Sequence, residues 1–210
     1  MLFRSHDATV VGVTMQRAER RSTWAQAGLI SLCFVALLWV LEIVDAANGH
    51  ALDGYGVTPR SEDGLVGILF APLLHGGWAH LEGNTLPVLV LGFLVLLGDV
   101  ARGLAATAVI WLVSGVGVWL VAPPNTITLG ASVLVFGWLV YLILRGVFTR
   151  RSSEIATGVV LLFFFGGLLL GVLPGQPGVS WQGHLFGAIG GGLAAAWVSR
   201  RPRRSHADLR

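Results

Sequence analysis

The chain has 210 residues, 54% of them hydrophobic and 12% charged, with a mean hydropathy of +0.75. That balance excludes an ordinary soluble domain, and the length suffices for one compact helical membrane domain. All 14 basic residues are arginine and the sequence pI is near 10.0; they cluster at the ends of apolar segments, which points to membrane topology rather than to a nucleic-acid partner.

In chain order, residues 1–23 form a polar N-terminal segment, and Arg20-Arg21 lead into a first apolar span near Trp24–Val44. A passable cleavage pattern closes that run at Val44-Asp45-Ala46, but the run is longer than a signal-peptide core, so a retained span is expected. Cys33, the only cysteine, lies mid-span and reads as a small buried side chain with no disulfide partner. A longer segment, residues 45–79, opens with turn-forming residues (Asn48-Gly49-His50, Asp53-Gly54, Thr58-Pro59). It continues into a ten-residue apolar run, Leu65 to Leu74, that includes Pro72. Ten residues cannot cross a bilayer, so this run is expected to lie in the interface or to dip in and return.

Five further spans follow near His80–Gly98, Gly103–Val121, Leu129–Phe148, Ile155–Leu173 and Gly183–Ser199, and a basic tail occupies residues 200–210. A helix satisfies its own backbone in lipid, and the short alternating segments of a β-barrel are absent, so an all-α membrane domain of six transmembrane helices is expected over residues 24–199. With the N-terminus inside, thirteen arginines fall on the inner side and only Arg60 on the outer. Both termini are therefore expected to be cytoplasmic, with residues 45–79 as an outer loop.

Polar groups stand out in so apolar a chain, because they are costly in hydrocarbon and are kept for a use or a tight partner. His80 and Asn84 open the second span, Ser132 lies about one turn into the fourth, and His184 opens the last. All four fall in one leaflet. Serine with histidine is the minimum set for nucleophilic acyl transfer, and a second histidine with an asparagine suits an oxyanion. His80 and Asn84 are four apart and share a helix face; Ser132 and Phe136 are too, which flanks the serine with an aromatic ring. After His184 come Gly187, Gly190, Gly191 and Ala194, and the fourth span offers Gly130 and Gly137. Small faces of this kind let helices approach closely enough for a direct Ser132–His184 hydrogen bond. Each feature has a plainer use: serines in membrane helices usually bond their own backbone, Asn84 alone is interhelical glue, and His75 alone braces the outer segment. The conjunction is harder to explain away.

The motifs match a family. His75-Gly-Gly-Trp-Ala-His80-Leu-Glu-Gly-Asn84 resembles the second-span signature of the rhomboid proteases, Gly130-Ala131-Ser132 resembles their Gly-x-Ser, and His184-Leu-Phe-Gly187-Ala-Ile-Gly-Gly191 resembles their last-span His-x-x-Gly-x-x-x-Gly. The resemblance covers roughly residues 24 to 199. It implies a six-helix rhomboid-like bundle with a membrane-embedded first outer loop and a dyad of Ser132 as nucleophile and His184 as general base. It also implies an oxyanion hole from His80, Asn84 and the Ser132 backbone N–H, with Phe136 stacked on the imidazole. Single-span membrane proteins, met in the lipid bilayer, would be the substrates. Arginine without lysine points to a GC-rich bacterial genome, hence the inner membrane.

One departure is Val133, where the family usually has glycine. Its bulk is expected to crowd the helices and shift Ser132 from His184, so that Val133→Gly preserves or raises activity. The alternative is a rhomboid-like pseudoprotease that binds membrane clients without cutting them. A transporter is disfavoured because no carboxylate sits mid-span. His75 and His80 are five apart and Glu82 lies on another face, so no zinc-protease helix exists; no metal or other cofactor is expected, and His6, His50 and His206 read as solvated.

Overall fold

The computed structural model describes the backbone of residues 4–200 and the side chains of residues 22–199. Seven α-helices make up the bundle: α1 (Arg4–Ala47), α2 (Glu62–Phe70), α3 (Trp78–Leu97), α4 (Val100–Val121), α5 (Ser132–Thr149), α6 (Ser152–Phe165) and α7 (Trp181–Arg200). Three 3-10 turns join them, Ala51–Tyr55, Ala71–Leu73 and Gly166–Val172. Among the described residues the only β pairing is an isolated antiparallel bridge between Val57 and Thr128. The expected tail from residue 201 on, with His206, lies outside the described residues, as does the side chain of His6.

Among the described residues, five segments are long and apolar enough to cross a membrane: Ser22–Ala47, Trp78–Leu97, Val100–Val121, Ser132–Thr149 and Ser152–Val172. The sixth expected span, α7, falls outside that set, and its place in the bundle explains why. It carries Gln182, His184 and five glycines, and it packs most extensively against α5 and α4. Ala194 and Ala195 are fully buried there. A helix enclosed by its neighbours has no need of a broad apolar face toward lipid.

Lipid tails are as apolar as leucine, so close contact rather than expulsion from water holds such helices together. The α5–α7 seam shows this. A Cβ on Gly187 would strike the Val133 carbonyl oxygen, and one on Gly191 the Gly137 carbonyl oxygen. The two backbones touch. Around the seam, Leu81 and Leu91 of α3, Ile110 of α4 and Leu134 and Leu139 of α5 form one buried core.

Two of the differences from the expected boundaries matter most for the site. The fourth span was expected from Leu129, but α5 begins at Ser132. Thr128 is drawn into the bridge with Val57, and Gly130, at φ 120°, donates its N–H to the Ala71 carbonyl at 2.8 Å. Ser132 is thus the first helical residue rather than one turn down. The fifth span was expected as helix to Leu173, whereas α6 stops at Phe165 and tightens into a 3-10 turn. The Gly166-Gly167 doublet lowers helix propensity there, by about 1 kcal/mol per glycine relative to alanine. The apolar run Leu65 to Leu74 is divided between the end of α2 and the turn Ala71–Leu73. Ser61 caps α2 by accepting from the Gly64 N–H at 2.9 Å. Trp111 and Trp119 of α4 donate their indole N–H groups to the carbonyls of Ile68 and Ser61, both at 2.8 Å.

Candidate active site

The starts of α3, α5 and α7 lie at one end of the bundle, and their first two turns carry His80, Asn84, Ser132, Phe136 and His184. His184 Nε2 and Ser132 Oγ are 3.0 Å apart. The other ring nitrogen, Nδ1, is 3.0 Å from the carbonyl oxygen of Gly171. A carbonyl can only accept, so Nδ1 carries the proton and Nε2 presents its lone pair to the Ser132 hydroxyl. This is the tautomer a general base requires. Phe136 stacks on His184, ring centroids 3.9 Å apart and planes 9° from parallel.

Gly171 was missed in the sequence. It sits in the 3-10 turn that ends the α6 segment, and a Cβ there would lie 2.8 Å from Phe136 Cζ and 3.1 Å from His184 Nδ1. The carbonyl orients the imidazole, and the missing side chain leaves room for the stacked pair. Any residue carries a carbonyl, so only the cluster Gly166, Gly167 and Gly171 closing an apolar run hinted at it.

His80 and Asn84 face the same place. Both line, with Ser132, Phe136, Gly171 and His184, a cavity of about 1010 Å³. Asn84 donates one amide hydrogen to the His80 carbonyl at 3.0 Å, which leaves its second for the cavity. Ser132, as first residue of α5, has a backbone N–H with no acceptor inside the helix. Gly130, expected as a helix-packing residue, lies before α5 instead. A Cβ on it would sit 2.6 Å from His80 Cε1, and its φ of 120° suits glycine. It makes room for the His80 ring rather than for α7; of the two predicted glycines, Gly137 serves the seam.

His75 lies against the site. It is buried, its Nε2 accepts from the Ala131 N–H at 3.4 Å, and its ring meets that of His80 edge-on with centroids 5.1 Å apart. Burial first, and the neighbouring His80 second, lower its pKa to about 3. The neutral form is the one that can accept.

The crowding expected from Val133 is absent. Val133 is buried beneath α7, where a Cβ on Gly183 would come within 3.1 Å of its Cγ1, and Gly187 lies over its backbone. Glycines on the facing helix absorb the valine, and the Ser132–His184 contact keeps its length. His50 is also not simply solvated: its Nδ1 lies 3.3 Å from Asp45 Oδ2.

Comparison with known proteins gives the family. The Rhomboid domain model matches residues 62–201. The chain belongs to the rhomboid family. It is also similar to an uncharacterized protein of Mycobacterium tuberculosis (strain ATCC 25618 / H37Rv), 46% identical over 199 residues, which is 91% of this chain and 83% of that protein. An uncharacterized protein of Mycobacterium leprae (strain TN) is 44% identical over 197 residues, 90% of this chain and 78% of its own. Rhomboids are generally intramembrane serine proteases. The family match begins at Glu62, so it takes in α2 to α7 and leaves α1 outside it.

Proposed function

We propose that this rhomboid is an intramembrane serine protease that hydrolyses peptide bonds in or near the transmembrane segments of single-span membrane proteins. The observation that carries the reading is the hydrogen-bonded row Ser132–His184–Gly171, with the imidazole in the tautomer that accepts the serine proton.

Ser132 Oγ attacks the scissile carbonyl carbon while its proton passes to His184 Nε2. The new C–O bond places negative charge on the carbonyl oxygen, which the Ser132 N–H, the free amide hydrogen of Asn84 and the His80 ring stabilise. The imidazolium gives its proton to the leaving amine as the C–N bond breaks. Water then attacks the acyl-enzyme with His184 again as base, releasing the carboxylic acid and restoring Ser132. No carboxylate backs His184; the Gly171 carbonyl and the Phe136 face take over orientation and charge stabilisation.

The membrane setting completes the reading: six spans including α7, residues 45–79 as an outer loop partly embedded in the membrane, and both termini cytoplasmic. The sequence's arginine distribution, thirteen against one, supports that orientation. The site then opens toward the outer face of a bacterial inner membrane, where unwinding ends of substrate helices arrive.

The test is cleavage of a tagged single-span substrate in membranes, wild type beside Ser132→Ala and His184→Ala. Each substitution is expected to lower cleavage by roughly 10⁴-fold or more. Cleavage persisting in Ser132→Ala would sink the dyad, and a folded but inactive wild type would favour the client-binding pseudoprotease.

A further inference from the structure

The end of α1 carries a group of acids for which the protease chemistry has no use. Glu42 and Asp45 are three residues apart and share the inward face of the helix, 2% and 3% exposed. Beyond Ala47 the chain reverses through Gly49 at φ 67° and His50 at φ 62°. His50 N–H donates to the Asp45 carbonyl at 2.9 Å. A left-handed backbone is uncommon for a residue with a side chain. Here it folds the imidazole back over the helix end, against Asp45 Oδ2. The 3-10 turn Ala51–Tyr55 then delivers Asp53. One ligand atom from each of Asp45, His50 and Asp53 lies within 4.8 Å of the other two.

Glu42 supplies an independent observation. Both of its carboxylate oxygens are buried without a hydrogen-bond partner. It lies within electrostatic reach of Asp45, Asp53 and His50, with the Gly77 backbone N–H beside it. Asp53 Oδ1 is also buried and unpartnered. Three carboxylates thus surround the His50 imidazole, the His80 ring lies within electrostatic reach of Asp53, and among the described residues no ion pair brings an arginine to any of the three acids. Buried carboxylates without counter-charge are costly, and a dication removes that cost.

We propose that Asp45, His50 and Asp53 form a binding site for a divalent transition-metal ion of the zinc class, with Glu42 as the buried acid behind it. The imidazole decides the class. Calcium and magnesium take oxygen ligands, whereas zinc and its neighbours accept imidazole nitrogen and carboxylate oxygen together. Zinc bonds of about 2.0–2.2 Å in a tetrahedron set ligand atoms about 3.4 Å apart. The separation of 3.3 Å between His50 Nδ1 and Asp45 Oδ2 suits that edge. The Leu52 N–H, donating to Asp45 Oδ1 at 2.6 Å, fixes this carboxylate as outer-shell partners commonly do. The ion would pin the loop after α1 to the helix end. It would also lie near Gly77, the residue that caps the helix carrying His80.

The experiment is titration of the full-length, tag-free chain in detergent with Zn²⁺ by calorimetry, and with Co²⁺ by visible absorption. One ion per chain is expected, with visible Co²⁺ bands and a Zn²⁺-dependent rise in Tm. His50→Gln should weaken binding at least tenfold, since losing even an outer-shell partner costs roughly 10- to 100-fold, and should abolish the Tm rise. The His50 side chain is 49% exposed, so this variant should fold; Asp53→Asn is the second. Binding that survives both but is lost in His80→Ala would place the ion at the protease site and overturn the proposal. So would a folded wild type that binds no Zn²⁺, or one that prefers Ca²⁺. None of these readouts requires proteolysis.

Discussion

The last helix and the segment before it are both glycine-rich, and they use glycine in opposite ways. In α7, Gly187 and Gly191 let one backbone lie on another and fix the helix against α5. After α6, Gly166 and Gly167 end the α-helix, and little of that segment is enclosed: Leu170 and Leu173 are 62% and 54% exposed. The site takes its pair, Ser132 and His184, from the tightly seated helices. From the loose segment it takes one carbonyl, that of Gly171. Position is set by the seam and orientation by the turn.

The largest effect should come from breaking the seam. Gly191→Val would drive a branched side chain into the Gly137 carbonyl, and overpacking against backbone that cannot yield should cost at least the upper end of about 1–3 kcal/mol. Thermal unfolding in detergent should show a greatly lowered Tm and cleavage should vanish; a wild-type Tm would mean that the seam gives. Gly171→Ala should act differently. Its methyl group displaces the stacked imidazole, and a shift of about 1 Å costs on the order of a hundredfold in kcat, with the Tm little changed. Gly167→Ala, where a Cβ meets nothing within 4 Å, is its control.

Val133→Gly sharpens the contrast. The valine fills space that α7 glycines leave open, so its removal should cost about 2–3 kcal/mol from lost burial and added glycine in a helix. Activity should not rise; a rise at unchanged Tm would restore the crowding expectation. His75 adds a pH test. Its pKa falls from 6.5 to about 3 on folding, so the unfolded chain binds more protons between those values. Its contribution is full above pH 6.5 and is lost as pH falls toward 3, reaching about 2 kcal/mol of lost stability near pH 5. His75→Gln should flatten the fall in Tm over that window.

Which features the sequence revealed follows from the cost of polarity in lipid. His80, Asn84, Ser132 and His184 were legible because each interrupts an apolar span; helical spacing placed the Phe136 ring beside Ser132, and its stack on the imidazole came from the rhomboid resemblance. Gly137, Gly187 and Gly191 were legible as a packing face. Gly171 was not, because its contribution is a backbone carbonyl that every residue possesses. The start of α5 was misplaced because hydropathy runs on through Leu129, while the bridge at Thr128 depends on Val57, 71 residues away in the chain, and Gly130 at positive φ is held by Ala71, 59 residues away. The acidic group at the end of α1 was hidden for a similar reason. Only the reversal at Gly49 and His50 brings His50 and Asp53 back to Asp45.

The two indole bonds between α4 and α2 act as a vernier. Trp111 and Trp119 are eight residues apart and their acceptors, Ile68 and Ser61, seven; at 1.5 Å per residue these are spacings of about 12 and 10.5 Å. The order of the acceptors is reversed, so the short helix runs antiparallel to its neighbour. Sliding it by a fraction of a turn would stretch both bonds together. Tilting about either indole costs only one bond. The two indoles therefore hold the short helix in register along its long neighbour.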